Sequence, residues 1–434
     1  MKSSTGNRGW PPESRAARLE SIVETNLVDD HGRVRSALNI DTMQPFAKGF
    51  FDHLDVHHYP GENWTDFSDY ISYENVGMCS GAYLAAMVWK YRATRDSVAL
   101  DTARRTFHAI CGLFDMSQAV DEGFYCKCYG GKLSDQISSD QYIYTFVGLD
   151  LFLEHATSAE RRVCVAMIGK MVKFWMRRNY FYPYFGQPLH WPLERFPVFA
   201  WLAWQHTGRE EFRDEFARLC ELPEVNTVLP FAALRWDELL AETKQRPPAF
   251  DFEKGTNQRL IRLNPETTES GFISLAALLA YQAPHRELWL DKVRHLYDMG
   301  QRWIAEDGYA LGPHLYDLQT GKLAEVRQVL ATGAGSGGWK FLGFVGWIRS
   351  GMWSAMFARA AVGIQDYFPE IGALDLAGRI LSQLDQNKLR WFVDMDGRQF
   401  PEDMRWIGRV FSGDAVTHWL WAYWEARGRW KIPV

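Results

Sequence analysis

The sequence predicts an all-α fold, an (α/α)6 toroid of six inner and six outer helices with long loops on one face. Three observations predict it. Strand patterning is weak, whereas helical periodicity is strong along the chain. Segments apolar on every side alternate with amphipathic ones, the pattern of a buried helix followed by a covering one. The alternation recurs, as in proteins built from a repeated helical pair.

The first inner segment runs from Glu74 to Met87 and ends in Tyr91-Arg92-Ala93-Thr94-Arg95-Asp96, and the amphipathic stretch Ser97 to Phe114 follows, with Asp101, Arg104 and Arg105 on its polar side. The pairing then returns: Asp140–Ala156 with Ala159–Arg178, Glu194–His206 with Glu211–Leu222, Glu269–Ala283 with Arg286–Ala305, and Arg349–Ile364 with Glu370–Asn387. Asp414 to Ala426 supplies the sixth inner helix, and Pro12 to Leu27, ahead of the first, the sixth outer one. The inner starts are about 68 residues apart on average, which suits two helices plus loops. Six pairs close a ring, so residues 1–434 read as a single domain. An open solenoid of stacked pairs is the alternative, and the long, irregular loops disfavour it. The longest are Arg178–Arg195, Glu221–Glu269 and Glu306–Ser350.

Composition excludes several function classes. Of 434 residues, 47% are hydrophobic and 23% charged, which is globular and not disordered. A net charge of −5 gives no reason to expect nucleic acid or an anionic membrane as partner. No apolar run is long enough for a transmembrane helix. Met1 to Pro12 is polar and lacks the apolar core of a secretory signal, so the expected location is cytoplasmic. Six cysteines in so long a chain are no disulfide framework. The Gly-rich run Ala331–Trp339 lacks the Lys-Ser/Thr of a phosphate loop, and no cofactor is expected. Asp52-His53-Leu54-Asp55-Val56-His57-His58 and Cys126-Lys127-Cys128 have no defensible metal-ligand spacing, so no metal is expected either.

In a toroid the N-terminal ends of the inner helices share one face, where dipole ends and free N–H groups converge. Here those starts read Glu74-Asn75, Ser139-Asp140-Gln141, Glu194-Arg195, Glu269-Ser270, Arg349-Ser350 and Gly413-Asp414. Asp and Ser there are good N-caps and Glu suits the first turn, so each carboxylate alone has a capping explanation. Their concentration on one face points to a pocket.

The pattern of an acidic residue, Gly, Leu-Ala and then Tyr-Arg-x-Thr-x-Asp resembles the six-hairpin glycosidase superfamily over nearly the whole chain as architecture. Ser134-Asp135-Gln136-Ile137-Ser138-Ser139-Asp140-Gln141-Tyr142 is similar to the Ser-x-Asp-Gln signature of many bacterial members. The resemblance implies a glycoside hydrolase that cleaves a small oligosaccharide, possibly uronate-containing, with an aspartate at an inner-helix start as general acid. Asp140 is the positional match. Glycosidic cleavage needs a proton donor and a second group for the other face of the sugar. Glu74, Glu194 and Glu269 are candidates for that role, in that order, and the loop carboxylate Asp135 is a substitute. His190 is a candidate base or substrate ligand, with a structural role as its alternative. Trp64, Tyr142, Tyr184, Trp191 and Trp339 are candidate stacking groups for a sugar ring, with Asn75 and Gln141 as polar contacts. Arg195 and Arg349 are candidates for a uronate carboxylate, with pairing to a neighbouring acid as the equal alternative for each.

Two rivals use other chemistry. A uronate lyase would act by β-elimination with Tyr or His, and a sugar epimerase would need paired histidines. A third, of another class, is a sugar-binding protein without catalysis. The 27 Phe, 18 Tyr and 19 Trp divide into helical stripes, expected in the core, and loop clusters at Tyr180–Trp191 and Trp339–Trp353, expected over the pocket.

Overall fold

The computed structural model describes residues 9–52, 66–183, 190–191, 193–223, 225–226, 260–263, 265–312, 314–317, 322–324, 348–394, 397–400 and 402–432, with side chains throughout except at 260–263, 265–270, 314–317, 322–324 and 403–404. The inner helices are α3 (Val76–Thr94), α5 (Ser139–Leu153), α7 (Pro197–Thr207), α9 (Pro265–Ala280), α11 (Gly351–Ile364) and α13 (Gly413–Trp430). Their outer partners are α4 (Ser97–Ser117), α6 (Ser158–Arg177), α8 (Glu210–Cys220), α10 (Arg286–Gly300), α12 (Ala373–Gln383) and α1 (Glu13–Ile22), while α2 (Phe67–Tyr73) is a short helix ahead of α3. Each inner helix packs on the next, and α13 returns to α3, so the ring closes as an (α/α)6 toroid.

Local chemistry explains the alternation. Every residue of α3 from Val76 to Trp89 is buried, as a helix enclosed by neighbours requires. In α4 the buried set Ala99, Ala103, Phe107, Ile110 and Phe114 follows three- and four-residue steps, a single inward stripe. The motif Tyr91–Asp96 is the joint between them. Arg95 is left-handed, with its N–H on Tyr91 O, and ends α3, while the Asp96 carboxylate accepts from Val98 N and starts α4. Thr157 and Glu160 form a reciprocal capping box on α6.

Gly81 and Gly148 let α3 and α5 touch backbone to backbone. A Cβ on Gly81 would lie 2.5 Å from the Tyr144 carbonyl, and one on Gly148 2.5 Å from Gly81 O.

Weak strand patterning hid three small antiparallel sheets. Strands β1 (Ala37–Asn39) and β7 (Val410–Ser412) pair Ala37 with Ser412. Strands β2 (Leu260–Leu263), β4 (His314–Asp317) and β5 (Lys322–Ala324) form a second sheet, in the order β2-β4-β5. Strands β3 (Ala310–Gly312) and β6 (Ile348–Ser350) form the third. Three of the expected inner starts shift. Glu269 lies one turn inside α9, which opens at Pro265. Arg349 lies in β6, not in a helix, and Glu194 lies in the 3-10 turn Leu193–Arg195, because Pro197 opens α7. No helix among the described residues is long and apolar enough to cross a membrane.

Candidate active site

The N-terminal ends of α3, α5 and α13 bring Glu74, Asn75, Gln141 and Asp414 into one cluster. Glu74 occupies the turn between α2 and α3 and is buried. Lys127 Nζ donates to its Oε1, and Tyr129 OH donates to Oε2 at 3.0 Å. Burial pushes the Glu74 carboxyl upward against the opposing pull of Lys127. Asn75 Nδ2 donates to Asp414 Oδ2 at 2.9 Å, and Cys79 Sγ–H donates to Asp414 Oδ1 at 3.0 Å. Gln141 ties the helices together: its Nε2 reaches Asn75 Oδ1 at 3.2 Å and Glu74 O at 3.3 Å, while its Oε1 accepts from Met78 N at 3.0 Å. Burial, helped by the charge of Glu74, pushes the Asp414 carboxyl up to about 6.

Asp140 stands at the next position along α5 from Gln141. Arg195 Nη1 binds its Oδ1 at 2.6 Å and also donates to Ser139 Oγ at 2.6 Å. The Asp140 side chain is 22% exposed against 7% for Arg195, so the carboxylate is the open end of this pair. Among the described residues Asp140 Oδ2 has no hydrogen-bond partner. Glu194, next to Arg195 in sequence, is buried. Across from Glu194, the buried ammonium of Lys292 is lowered to about 8 by desolvation, against the opposing charge of Glu194.

The other expected site residues divide three ways. Tyr142 is fully buried and packs edge-on against Tyr125 and Trp175, so its ring belongs to the core. Trp191 is buried too, with its indole N–H on Tyr182 O at 3.2 Å and its ring against Trp175. Tyr180, Tyr182 and Trp353 are likewise buried, so these members of the loop clusters serve packing and not an open platform. Arg349 is held by Asp307 at 2.8 Å and Asp394 at 3.5 Å and lies over the Tyr309 ring. Asp135 is exposed and accepts from Gln136 Nε2. His190 is half-buried, pairs with Phe181 in an isolated bridge, and sets Nδ1 3.2 Å from Trp191 O. Trp64, Tyr184 and Trp339 lie outside the described residues, as does the side chain of Glu269.

Two members of the cluster escaped sequence reasoning. Lys127 lies inside the apolar run Phe124–Tyr129, and a lysine there needs a buried anion. A buried lysine flanked by Cys126 and Cys128 is the signal for that anion. Asp414 was visible as a helix start and has a capping explanation, yet the Ser412 side chain supplies the cap by accepting from Ala415 N. No group of metal-ligating side chains occurs among the described residues.

The only histidine within the inner helices near this face, among the described residues, is His418 of α13, and it is fully buried. Its Nδ1 donates to Asp414 O at 2.8 Å, and burial lowers its imidazole to about 3. It therefore stays neutral and closed to solvent.

No protein-family model matches the chain, and no curated protein matches it. Solved structures do. A protein titled D-mannose isomerase superposes with a TM-score of 0.52 at 11% identity, over 95% of this chain and 96% of that one. A cellobiose 2-epimerase from Bacillus thermoamylovorans B4167 superposes with a TM-score of 0.49 at 12% identity, over 95% of this chain and 100% of that one. The first likeness spans the toroid from end to end, and what the chain shares with it is the (α/α)6 toroid fold.

Proposed function

We propose that the protein is a carbohydrate-active enzyme that cleaves a glycosidic bond in a small oligosaccharide at the inner-helix N-terminal face. The observation that carries this reading is the Asp140–Arg195 pair: an anchored, part-exposed carboxylate beside a second carboxylate cluster. Asp140, in its protonated form, gives its proton to the glycosidic oxygen as that oxygen's bond to the anomeric carbon breaks, water adds to that carbon, and the proton the water releases restores the acid. Glu74 is the second carboxylate. Glu74 and Asp140 are the sequence neighbours of Asn75 and Gln141, whose side chains bond to each other, and Arg195 anchors Asp140.

A second reading has one observation in its favour, the likeness to a chain titled D-mannose isomerase. An isomerase moves a proton from one carbon to the next, an epimerase removes and returns a proton on opposite faces of one carbon, and both need acid–base groups at the sugar. The buried, neutral His418 is poorly suited to be one of them.

One screen separates these readings. The protein is incubated with neutral and uronate-containing oligosaccharides, with mass and absorbance detection. Hydrolysis adds the mass of water, isomerisation or epimerisation leaves the mass unchanged but shifts the chromatographic retention of the sugar, and elimination creates an absorbing unsaturated product. With a substrate in hand, Asp140→Asn is expected to lower turnover on the order of 10²–10⁴-fold. Turnover within a few fold of the parent protein removes Asp140 from the mechanism.

A further inference from the structure

The amide of Asn75 is gripped on both of its ends. Its Oδ1 accepts from Gln141 Nε2 at 3.2 Å and its Nδ2 donates to Asp414 Oδ2 at 2.9 Å. A flipped amide would set its oxygen against the carboxylate of Asp414 and its NH2 against the NH2 of Gln141, so both partners oppose the flip. The grips come from three helices: Gln141 from α5, Asp414 from α13, and Asn75 at the foot of α3. Both grips are themselves fixed. Gln141 Oε1 is held by Met78 N, and Asp414 Oδ1 accepts from Cys79 Sγ. Glu74, Gln141, Cys79 and Asp414 are all buried, and only Asn75 is half-exposed. One hydrogen of its NH2 is spent on Asp414, and the second has no partner among the described residues.

We propose that Asp414 is a positioning residue: with Gln141 it locks Asn75 so that the amide presents an N–H donor, and no acceptor, to a hydroxyl or carboxylate oxygen of the ligand. The ligand side of this inference rests on reading the face as a sugar site; the lock itself does not. Asp414 does the work as a carboxylate, because it accepts from both Asn75 N–H and Cys79 S–H. The titratable groups around it are Glu74 and Cys79 on the α3 side and His418 one turn along α13, while α5 contributes the uncharged Gln141. Lys127 stands against Glu74 and not against Asp414.

Two isosteric changes test the lock in the full-length protein. Asn75→Asp sets a second carboxylate against Asp414. Its melting temperature is expected to fall well below that of the parent protein at pH 8 and to recover most of the difference at pH 5, where the two carboxyls share a proton. Asp414→Asn removes the charge, and in the Asn75→Asp/Asp414→Asn double variant the pH 8 loss is expected to shrink, so the two single losses do not add. Additive losses, or an Asn75→Asp loss independent of pH, overturn the lock. The ligand side is read on the oligosaccharide that the parent protein turns over best. Asp414→Asn is expected to raise KM about tenfold or more with a smaller change in kcat, and an unchanged KM overturns the role assigned to Asn75. If the parent protein turns over no oligosaccharide, the sugar reading fails, while the melting experiment still decides the lock.

Discussion

The two ends of the inner helices differ in how completely cations meet acidic side chains: at the N-terminal end Arg195 pairs with Asp140 and Lys127 with Glu74, but among the described residues Asp414 is buried without a cation. At the C-terminal end, cations meet the acids: Lys90 binds Glu20 at 2.6 Å, Arg92 binds Glu154 at 2.5 Å, His206 lies 2.7 Å from Asp150, and Arg429 and Arg359 reach Glu425 at 2.8 and 3.4 Å. At the N-terminal end, Asp414 is held by an amide and a thiol, with no cation in contact among the described residues, and Glu74 shares its single lysine with a phenol. Helix dipoles favour acids at one end and bases at the other, which accounts for the sign of each set but not for the difference in pairing. Pairing at the C-terminal end holds helices together. Burial without full neutralisation at the other end works against stability, and such groups gather where chemistry is done.

The largest effect that separates the two ends is expected at Glu425. This carboxylate is 1% exposed and faces the buried Arg359. Glu425→Ala leaves that guanidinium without its counter-charge and is expected to lower stability by about 3–5 kcal/mol in urea unfolding, with turnover per folded molecule unchanged. A loss of turnover with little loss of stability would erase the distinction between the ends.

A smaller effect is expected from pH at the opposite end. An unfolded aspartate titrates near pH 4, whereas Asp414 in the fold titrates at about 6. Between those values the folded protein holds a proton that the unfolded chain has lost. This contribution is therefore fully present below about pH 4 and is lost as pH rises through about 6, a change on the order of 3 kcal/mol. Glu74, also raised, acts in the same direction. Urea midpoints between pH 4 and 7 measure the slope, and Asp414→Asn is expected to flatten it; an unchanged slope would place the acid-linked stability elsewhere.

The smallest of the three tests the wall between the ends. Gly81→Ala drives a methyl into the backbone of α5 and is expected to cost about 1–3 kcal/mol by thermal unfolding, as overpacking does.

The ring was legible in the sequence because its signal is long and repeated. The expected inner starts at Glu74, Asp140 and Asp414 fall within two residues of the starts of α3, α5 and α13. Each of those helices is predominantly buried and packs against other inner helices. Side-chain direction was not legible. Tyr142 and Trp191 read equally well as platforms and as core, since an aromatic ring suits either surface, and only the neighbouring Trp175 decides it. The role of Asp414 was hidden for another reason: its partner Asn75 is nearly the whole chain away, and no local pattern records such a contact.

That separation, 339 positions between Asn75 and Asp414, also governs how the protein comes into being. A chain emerging from the ribosome has its first wall long before its last, and α3 must wait for α13 to cover it. The buried carboxylate, its amide partner and the seam of β1 with β7 all form at the same late moment. Until α13 is in place, neither the Asn75–Asp414 contact nor the β1–β7 seam can form.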